Sequence, residues 1–399
     1  MQVGGACRQV SRHNGLEGLA QRACRVGCEM IGHMRQGAAN QVLRKIRSRP
    51  VPVDPEGAAV SVIIPCYNYA RYLPQAVRSV LSQEDVNVDV IVVDDASTDR
   101  SLSVARGLAA DDARVRVLSH AKNQGPVDTF NDGLERARGE FLVRLDADDL
   151  LTPHSLARAV AVMRAYPSVG LVYGHPLHFS GDVLPPARAA PTGWTIWPGR
   201  QWLAARCTSG LNVITSPEVL MRRSVVDVLG GQRPLTHTHD MEMWLRMSAF
   251  CDVAYVHGAD QAWHREHGDS LSARHVDAFR DLLERRDAFD TLFAGPAGTL
   301  PEAALLHGKA MQALATDAVE LAIRQFDHPE PDTGYVATLR EIAISLVPNP
   351  RLLHGWAGLE KRLSMGAPLA ARHPVFFAER VMRGLAGRWR KNRWHRTGA

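Results

Sequence analysis

The sequence has no run of about 18 or more consecutive apolar residues, so no segment has the length and character of an ordinary membrane-spanning helix. The N-terminal stretch MQVGGACRQVSRHNG also lacks the compact apolar core of a secretory signal. A cytoplasmic location is therefore expected. Cysteine is scarce: six in 399 residues cannot form the framework of a disulfide scaffold. Three of the six, Cys7, Cys24 and Cys28, fall in the N-terminal arm, and the last two are one helical turn apart. They are open to two readings, a metal or redox pair or small apolar helix positions. No CxxC spacing supports zinc.

The charge balance excludes another class. The chain carries 47 basic and 42 acidic side chains, a formal +5, but the excess is confined to the ends. Residues 1–50 hold nine basic and two acidic side chains, and residues 380–399 hold seven basic and none acidic. The body between them, 51–379, has 31 basic against 40 acidic side chains, or −9. A nucleic-acid binder needs its positive charge on the folded face, so nucleic acid is not the expected partner. An acidic body with basic ends suits an enzyme whose termini meet an anionic surface. With 45% hydrophobic and 22% charged residues the chain is ordinary globular protein, and its length allows two or three units.

Residues 1–57 read as a basic arm and linker, ending in SRPVPVDPEG, where Pro50, Pro52 and Pro55 enforce an extended chain. From residue 58 short apolar strands alternate with helical stretches, the pattern of an α/β fold with a largely parallel sheet. Strands are expected at Val60–Ile64, Val88–Val93, Val115–Leu118 and Phe141–Leu145, and helices at Tyr72–Leu81 and Pro153–Arg164. Residues 176–275 are richer in Pro, Gly and Trp and less periodic, which reads as a loop-rich half. Within it Pro217–Arg223 is expected to be a strand and Asp240–Ser248 a helix. From residue 276 the pattern is helical. Leu306, Leu314, Ala318 and Leu321 share one face, as do Val336, Leu339, Ile342 and Leu346. This region has no clean internal repeat, so a solenoid is not indicated.

Carboxylates gather just past the strands, at Asp94-Asp95 and again at Asp146-Ala147-Asp148-Asp149. In open α/β sheets the carboxyl ends of the strands are where ligands bind. Three carboxylates in four positions repel one another, so a divalent cation or a set of amide donors must compensate them. Hard oxygen ligands favour Mg²⁺ or Mn²⁺, completed by a substrate diphosphate. The alternative is an Asp-rich turn that caps the helix after it.

Several motifs in order resolve this turn into part of a pattern. VSVIIPCYNYARYLPQAVRSVLSQ, VDVIVVDDASTDRS and KNQGPVDTFNDGLERARGEFLVRLDADDLL together resemble the nucleotide-sugar-binding half of the family 2 inverting glycosyltransferases. LNVITSPEVLMRRSVVDVLGG, THTHDMEMWLRM and WHREHGDSLS resemble that family's acceptor, catalytic and closing segments, so the likeness covers roughly residues 59–273. It implies a GT-A fold, a Rossmann-like α/β nucleotide-diphospho-sugar transferase domain over 58–275, with an appended α-helical C-terminal region over 276–399. The activity it implies is transfer of a sugar from a UDP- or dTDP-linked donor to a hydroxyl acceptor with Mg²⁺ or Mn²⁺ as cofactor.

The resemblance also implies residue roles. Pro65, Tyr67 and Asp95 match positions that hold the nucleobase. Tyr67 is able to stack on a base or to pack in the core, and a carboxylate at Asp95 accepts a base N–H. Asp146 and Asp148 approach the ribose and the metal, and Asp149 matches the position of a direct ligand. Asp240 matches the general base, which takes the proton of the acceptor hydroxyl on the face opposite the leaving diphosphate. It also reads as a helix N-cap, and the two roles are compatible. His267 matches a ligand of the metal or diphosphate, against a loop histidine bonded to a carboxylate, and Arg265 matches a phosphate contact. The chain departs from the family at His239, where Glu is usual and where Glu242 is a substitute, and at Phe130-Asn131, where Arg-Asn is common.

In the tail, Phe377, Val381, Leu385 and Trp389 form one helical stripe with Arg380, Arg383 and Arg390 opposite. That is the pattern of a basic amphipathic helix on an anionic bilayer, so a peripheral place on the inner face of the membrane is one expectation. A helix packed on the body by its apolar stripe is the other. Two further readings of the whole chain are a nucleotidyltransferase, which needs a Gly-rich basic loop that PCYNYARYL does not provide, and a non-catalytic membrane-associated scaffold that retains the fold.

Overall fold

The computed structural model describes residues 42–52, 54, 55, 57–268, 277–328 and 330–397, the side chains of 390, 391 and 395–397 excepted. Cys7, Cys24 and Cys28 lie outside the described residues. The other three cysteines, Cys66, Cys207 and Cys251, are buried free thiols, and burial pushes each up to about 12. They are therefore inert packing residues.

The described residues form one sheet of ten strands: β1 (Ile46–Ser48), β2 (Ala59–Cys66), β3 (Asn87–Asp94), β4 (Val115–Ser119), β5 (Phe141–Arg144), β6 (Leu150–Leu151), β7 (Val169–Phe179), β8 (Gly193–Trp197), β9 (Leu220–Arg222) and β10 (Asp252–Arg265). Across the sheet the order is β4, β3, β2, β5, β9, β7, β10, β8, β1, with β6 paired to β10 off this path. Strands β4, β3, β2 and β5 are mutually parallel. Their crossovers carry α1 (Leu73–Leu81), α2 (Ser101–Asp111) and α3 (Pro126–Arg136). Proline in the first turn of α1 and of α3 suits the helix start, where a backbone N–H has no partner to lose. This is the α/β architecture expected, with the mixed sheet of a GT-A domain.

Both faces of the sheet are covered because both faces of its strands are apolar. Side chains alternate along a strand, so Val60, Val62 and Ile64 enter one buried cluster while Ile63 enters the other. The first layer is closed by α1 and by α4 (Ser155–Ala165), through Leu73, Val77, Leu156 and Val160. The second is closed by α3, α5 (Gly199–Ser209), α6 (Arg223–Leu229) and α7 (His239–Ser248), through Phe130, Trp202, Val226 and Trp244.

Three expectations need correction. The linker contributes to the sheet, since β1 pairs antiparallel with β8 in the register Ile46↔Ile196. Residues 176–275 are not mainly loop: β10 alone runs fourteen residues through the sheet. Buried polar side chains hide it from hydrophobic periodicity. Asp260 accepts from Arg188 N (2.7 Å) and lies 3.0 Å from His175 Nδ1, and Gln261 accepts from Arg158 Nε (2.9 Å). The strand expected over Pro217–Arg223 shrinks to β9, because Arg223 already opens α6.

The C-terminal helices are α8 (Ala278–Ala294), α9 (Ala303–Gln325), α10 (Thr333–Leu346), α11 (Trp356–Met365), α12 (Ala367–Arg372) and α13 (Pro374–Thr397). They share the second core. Leu306, Leu314 and Ala318 of α9 and Val336 and Leu339 of α10 belong to the same buried cluster as Tyr173 and Trp244. A region with its own separate core is thereby excluded.

One tight approach tests this packing. A Cβ on Gly199, at the start of α5, would overlap the backbone oxygens of Cys251 and Ser248. Gly199→Ala is expected to cost about 1–3 kcal/mol by overpacking. Gly107→Ala, in the open middle of α2, is expected to be neutral or to stabilise by up to about 1 kcal/mol. Thermal unfolding of the two variants measures the contrast.

Candidate active site

The parallel register brings the expected residues to one edge. Cys66 pairs with Asp94, so Tyr67 and Asp95 leave β2 and β3 side by side, two steps beyond Pro65↔Val93. Tyr67 is 44% exposed, which removes the core-packing alternative and leaves a ring open to a ligand. Asn68 follows at φ +62°, a left-handed conformation that Asn tolerates. Its Oδ1 accepts from Thr98 N (2.8 Å) and Asp99 N (3.2 Å), which ties the two strand-end loops together. Asp95 is buried: Oδ1 accepts from Gln124 N (2.8 Å) and lies 2.8 Å from His120 Nδ1, while Oδ2 accepts from Gly125 N (2.8 Å). It therefore shapes the 120–125 loop, and Oδ2 keeps one acceptor lone pair.

The Asp-rich turn is arranged around a buried cation that sequence reasoning missed. Arg144, the last residue of β5, is 5% exposed, and its Nη2 and Nη1 hold Asp146 Oδ1 and Oδ2 at 2.8 and 3.0 Å. Burial works against the charge of the guanidinium. The carboxylates of Asp146, Asp240 and Asp149 outweigh it, and Arg144 is held above its ordinary value. One cation thus sees three of the carboxylates that the sequence singled out.

The remaining carboxylates divide the work differently from expectation. Asp149 is 1% exposed; Oδ1 accepts from Arg265 N (2.8 Å) and Oδ2 lies 3.1 Å from His264 Nδ1. Burial opposes protonation of His264, but the charge of Asp149 and its hydrogen bond prevail and push the imidazole up to about 9. Both oxygens of Asp149, the residue expected to be a direct metal ligand, thus serve a buried ion pair and a backbone amide. Arg265, the expected phosphate contact, has protein partners on all three nitrogens of its guanidinium. Its Nε donates to Asp148 O (3.0 Å), Nη1 to Gly181 O (2.6 Å) and Nη2 to Gln75 Oε1 (2.7 Å). It is also packed between the rings of Tyr72 and Phe179. At 3% exposure this guanidinium is a strut for the turn, with no face left for a phosphate.

Asp148 and His267 are the pair that fits a metal. Asp148 Oδ2 lies 2.8 Å from His267 Nε2, and the imidazole is flanked by Tyr69 and Tyr72. Burial, then the charges of Asp149 and Asp146, push the Asp148 carboxyl well above the usual range. A nearby divalent cation would relieve that penalty. Among the described residues no group of three His, Cys, Asp or Glu side chains is arranged to hold an ion. One carboxylate and one imidazole, with the other positions left to phosphate oxygens and water, is a set that Mg²⁺ or Mn²⁺ tolerates.

Asp240 sits in the first turn of α7. Its Oδ1 accepts from Met241 N (2.6 Å) and its Oδ2 from Ser216 Oγ (3.0 Å). Ser216 has φ +114°, a strained backbone of the kind that collects at functional sites. From the far side α8 holds the start of α7. Glu284 Oε2 accepts from His237 N (3.1 Å), and Thr238 Oγ1 donates to Glu284 O (2.8 Å). Near Ser216, Glu218 is 3% exposed, with Oε1 accepting from Thr215 N (2.7 Å) and Oε2 unpartnered among the described residues. Burial pushes its carboxyl up to about 7. A glutamate inside the apolar run PEVLM was the available signal for it.

The two departures from the family also have structural readings. Glu242 does not replace the usual Glu: it is 1% exposed and bound to Arg246 Nε (2.9 Å) and Nη2 (3.0 Å). His239 itself is buried, with Nδ1 unpartnered among the described residues. Burial, then the charge of Arg144, lowers it to about 4, so it is neutral at ordinary pH. Phe130 is wholly buried, and Asn131 clamps Gln232 through both backbone groups at 2.9 and 3.0 Å.

The chain is similar to several known proteins. Residues 61–230 match the family described as glycosyl transferase family 2. An uncharacterized glycosyltransferase of Nostoc sp. is 43% identical over 116 residues, 29% of this chain and 35% of that protein. EpsE of Bacillus subtilis, named as a glycosyltransferase, is 31% identical over 194 residues, 48% of this chain and 66% of that protein. The chain thus spans about a third of the first relative and just under two thirds of the second. Among solved structures, S. aureus TarS (residues 1–349), in complex with UDP-GlcNAc, has 17% identity and a TM-score of 0.46, covering 72% of this chain and 91% of that one. Residues 61–230 thus resemble the family 2 glycosyltransferases.

His239 gives the site a pH signature. Its folded value of about 4 lies below the ordinary 6.5, so the unfolded chain takes up a proton that the folded chain refuses. The stability held above pH 6.5 is lost as pH falls toward 4. His239→Gln removes this contribution, so the melting temperature of the native protein should fall more steeply over that window than that of the variant. Parallel profiles would contradict the assignment.

Proposed function

We propose that the chain is a divalent-metal-dependent inverting glycosyltransferase that moves a sugar from a UDP- or dTDP-linked donor to a hydroxyl acceptor. The observation that carries the reading is the convergence of Asp146, Asp149 and Asp240 on buried Arg144, with the Asp148–His267 pair beside them on the same strand-end edge. Tyr67 offers its exposed ring to the nucleobase, Asp95 Oδ2 accepts a base N–H, and Pro65 shapes the strand end behind them. Asp148 and His267 would hold the Mg²⁺ or Mn²⁺. When bound, the ion neutralises the charge that builds on the departing nucleoside diphosphate.

Asp240 takes the proton from the acceptor hydroxyl as that oxygen bonds to the anomeric carbon. The bond from that carbon to the diphosphate breaks, and its electron pair leaves with the nucleotide. Attack from the face opposite the leaving group inverts the configuration. Ser216 Oγ and the Met241 amide orient the base, and the buried guanidinium of Arg144 lies within electrostatic reach of it. Arg265 acts as a positioning residue, since it fixes the backbone of Asp148.

Asp240→Asn should lower kcat by about 10²–10⁴-fold, the range for loss of a general base. Mn²⁺-dependent UDP binding should survive in that variant. Asp148→Ala should lose the binding itself. Nucleotide at 100 times its Kd should stabilise the native protein by about 2.7 kcal/mol in the presence of Mn²⁺. Nucleotide release from a panel of nucleotide sugars and thermal unfolding with UDP or dTDP measure these effects. Near-normal transfer by Asp240→Asn would remove the base from the mechanism.

A further inference from the structure

The structure separates the two expectations for the tail, because α13 does not pack by its apolar stripe. Its attached face is polar and aromatic. Phe376 is buried against Arg362, Glu379 pairs with Arg362 Nη2 (2.6 Å), and Arg383 Nη2 pairs with both oxygens of Asp327 (2.7 and 2.8 Å). Near its end Trp394 Nε1 donates to Val213 O (3.0 Å). The opposite face carries Phe377, Val381, Leu385 and Trp389 at i, i+4 spacing, with Val375 and Met382 alongside, all between 47% and 64% exposed. Six of the fifteen exposed large apolar side chains among the described residues are on this one helix. Scattered apolar side chains on a surface need no explanation, but a contiguous stripe marks an interaction site.

Charge selects the partner. Residues 374–397 carry seven Lys or Arg and one Glu, and that Glu is spent on Arg362. Arg388 and Arg393 are exposed at the two borders of the apolar stripe. A second copy of this face would set those arginines against their own counterparts. The N-terminal segment 1–41 holds five basic and two acidic side chains, so it is no better a cover. We propose that α13 docks the protein on an anionic lipid bilayer, with its apolar stripe in the headgroup boundary and its arginines among the lipid phosphates.

The body lies on the far side of the helix, where a docked protein would stand in water. No helix among the described residues is long and apolar enough to cross a membrane, so the contact is peripheral. Trp394 links the docked helix to the loop that leads to Ser216, which holds Asp240. The proposal does not depend on the proposed chemistry, and its readout is lipid binding alone.

The test is sedimentation of the full chain with phosphatidylcholine vesicles, with and without phosphatidylglycerol, at low salt. The native protein should sediment with the anionic vesicles and stay in solution with the neutral ones, and added salt should release it. Phe377→Ser, Leu385→Ser and Trp389→Ser combined, and separately Arg388→Glu with Arg393→Glu, should each weaken partitioning by roughly tenfold or more. Unchanged melting temperatures and circular dichroism would show that these exposed positions leave the fold intact. Three results would overturn the proposal: no sedimentation of the native protein with anionic vesicles, unchanged binding by the triple variant, or a native dimer that the triple variant turns into monomers.

Discussion

The buried guanidinium of Arg144 is the charge on which the carboxyl edge of the sheet depends. Two like charges about 4 Å apart repel by about 4 kcal/mol at an effective dielectric constant of 20, so the Asp-rich turn and Asp240 need compensation to coexist. Arg144 binds Asp146 directly and is stabilised by Asp240 and Asp149. His264, pushed up to about 9, adds a second positive charge beside Asp149. What is left over is the carboxylate of Asp148, whose raised value records the missing compensation. On the proposed function, the divalent ion that accompanies the anionic donor would supply that compensation.

Arginine also builds the scaffold around that edge. Arg265 joins the Asp-rich turn to Gly181 and Gln75, and Arg246 spans Glu242 and the carbonyls of Leu229, Gly230 and Gly231. A planar group with five donors can satisfy several buried oxygens at once, which a lysine cannot. The cost of burying such a charge is offset only where each donor finds an acceptor. The C-terminal helices take part through Glu284, which fixes the turn just before Asp240. The helical region is thus continuous with the sheet domain in packing and in the placement of the proposed base.

How much of this was legible in the sequence follows from the kind of signal each element carries. Strands β2 to β5 are dominated by β-branched and aliphatic residues, and their ends and the Asp clusters were readable directly. Strand β10 was not, because Asp260 and Gln261 interrupt its apolar pattern while being fully buried and satisfied by Arg188, His175 and Arg158. Site residues named by motif, such as Tyr67, Asp148, Asp240 and His267, do gather at one edge. Arg144, Ser216 and Glu218 lie inside the matching segments without standing out, since their burial and their contacts with Asp146, Asp240 and Thr215 leave no mark in the residue pattern. Arg265 and Asp149 sit in motif positions, yet their side chains are consumed by each other's segments. Motif position reports proximity to the site, and only burial and hydrogen bonding separate a ligand from a strut.

The basic ends of the chain and its acidic centre are two separate electrostatic problems. The inner one is open to a direct measurement. In a crystal soaked with Mn²⁺ and UDP, the account predicts an anomalous Mn²⁺ peak within coordination distance of Asp148 and His267, bridged to the diphosphate. UDP bound at this edge without Mn²⁺, or a peak liganded by Asp149 in place of that pair, would contradict it.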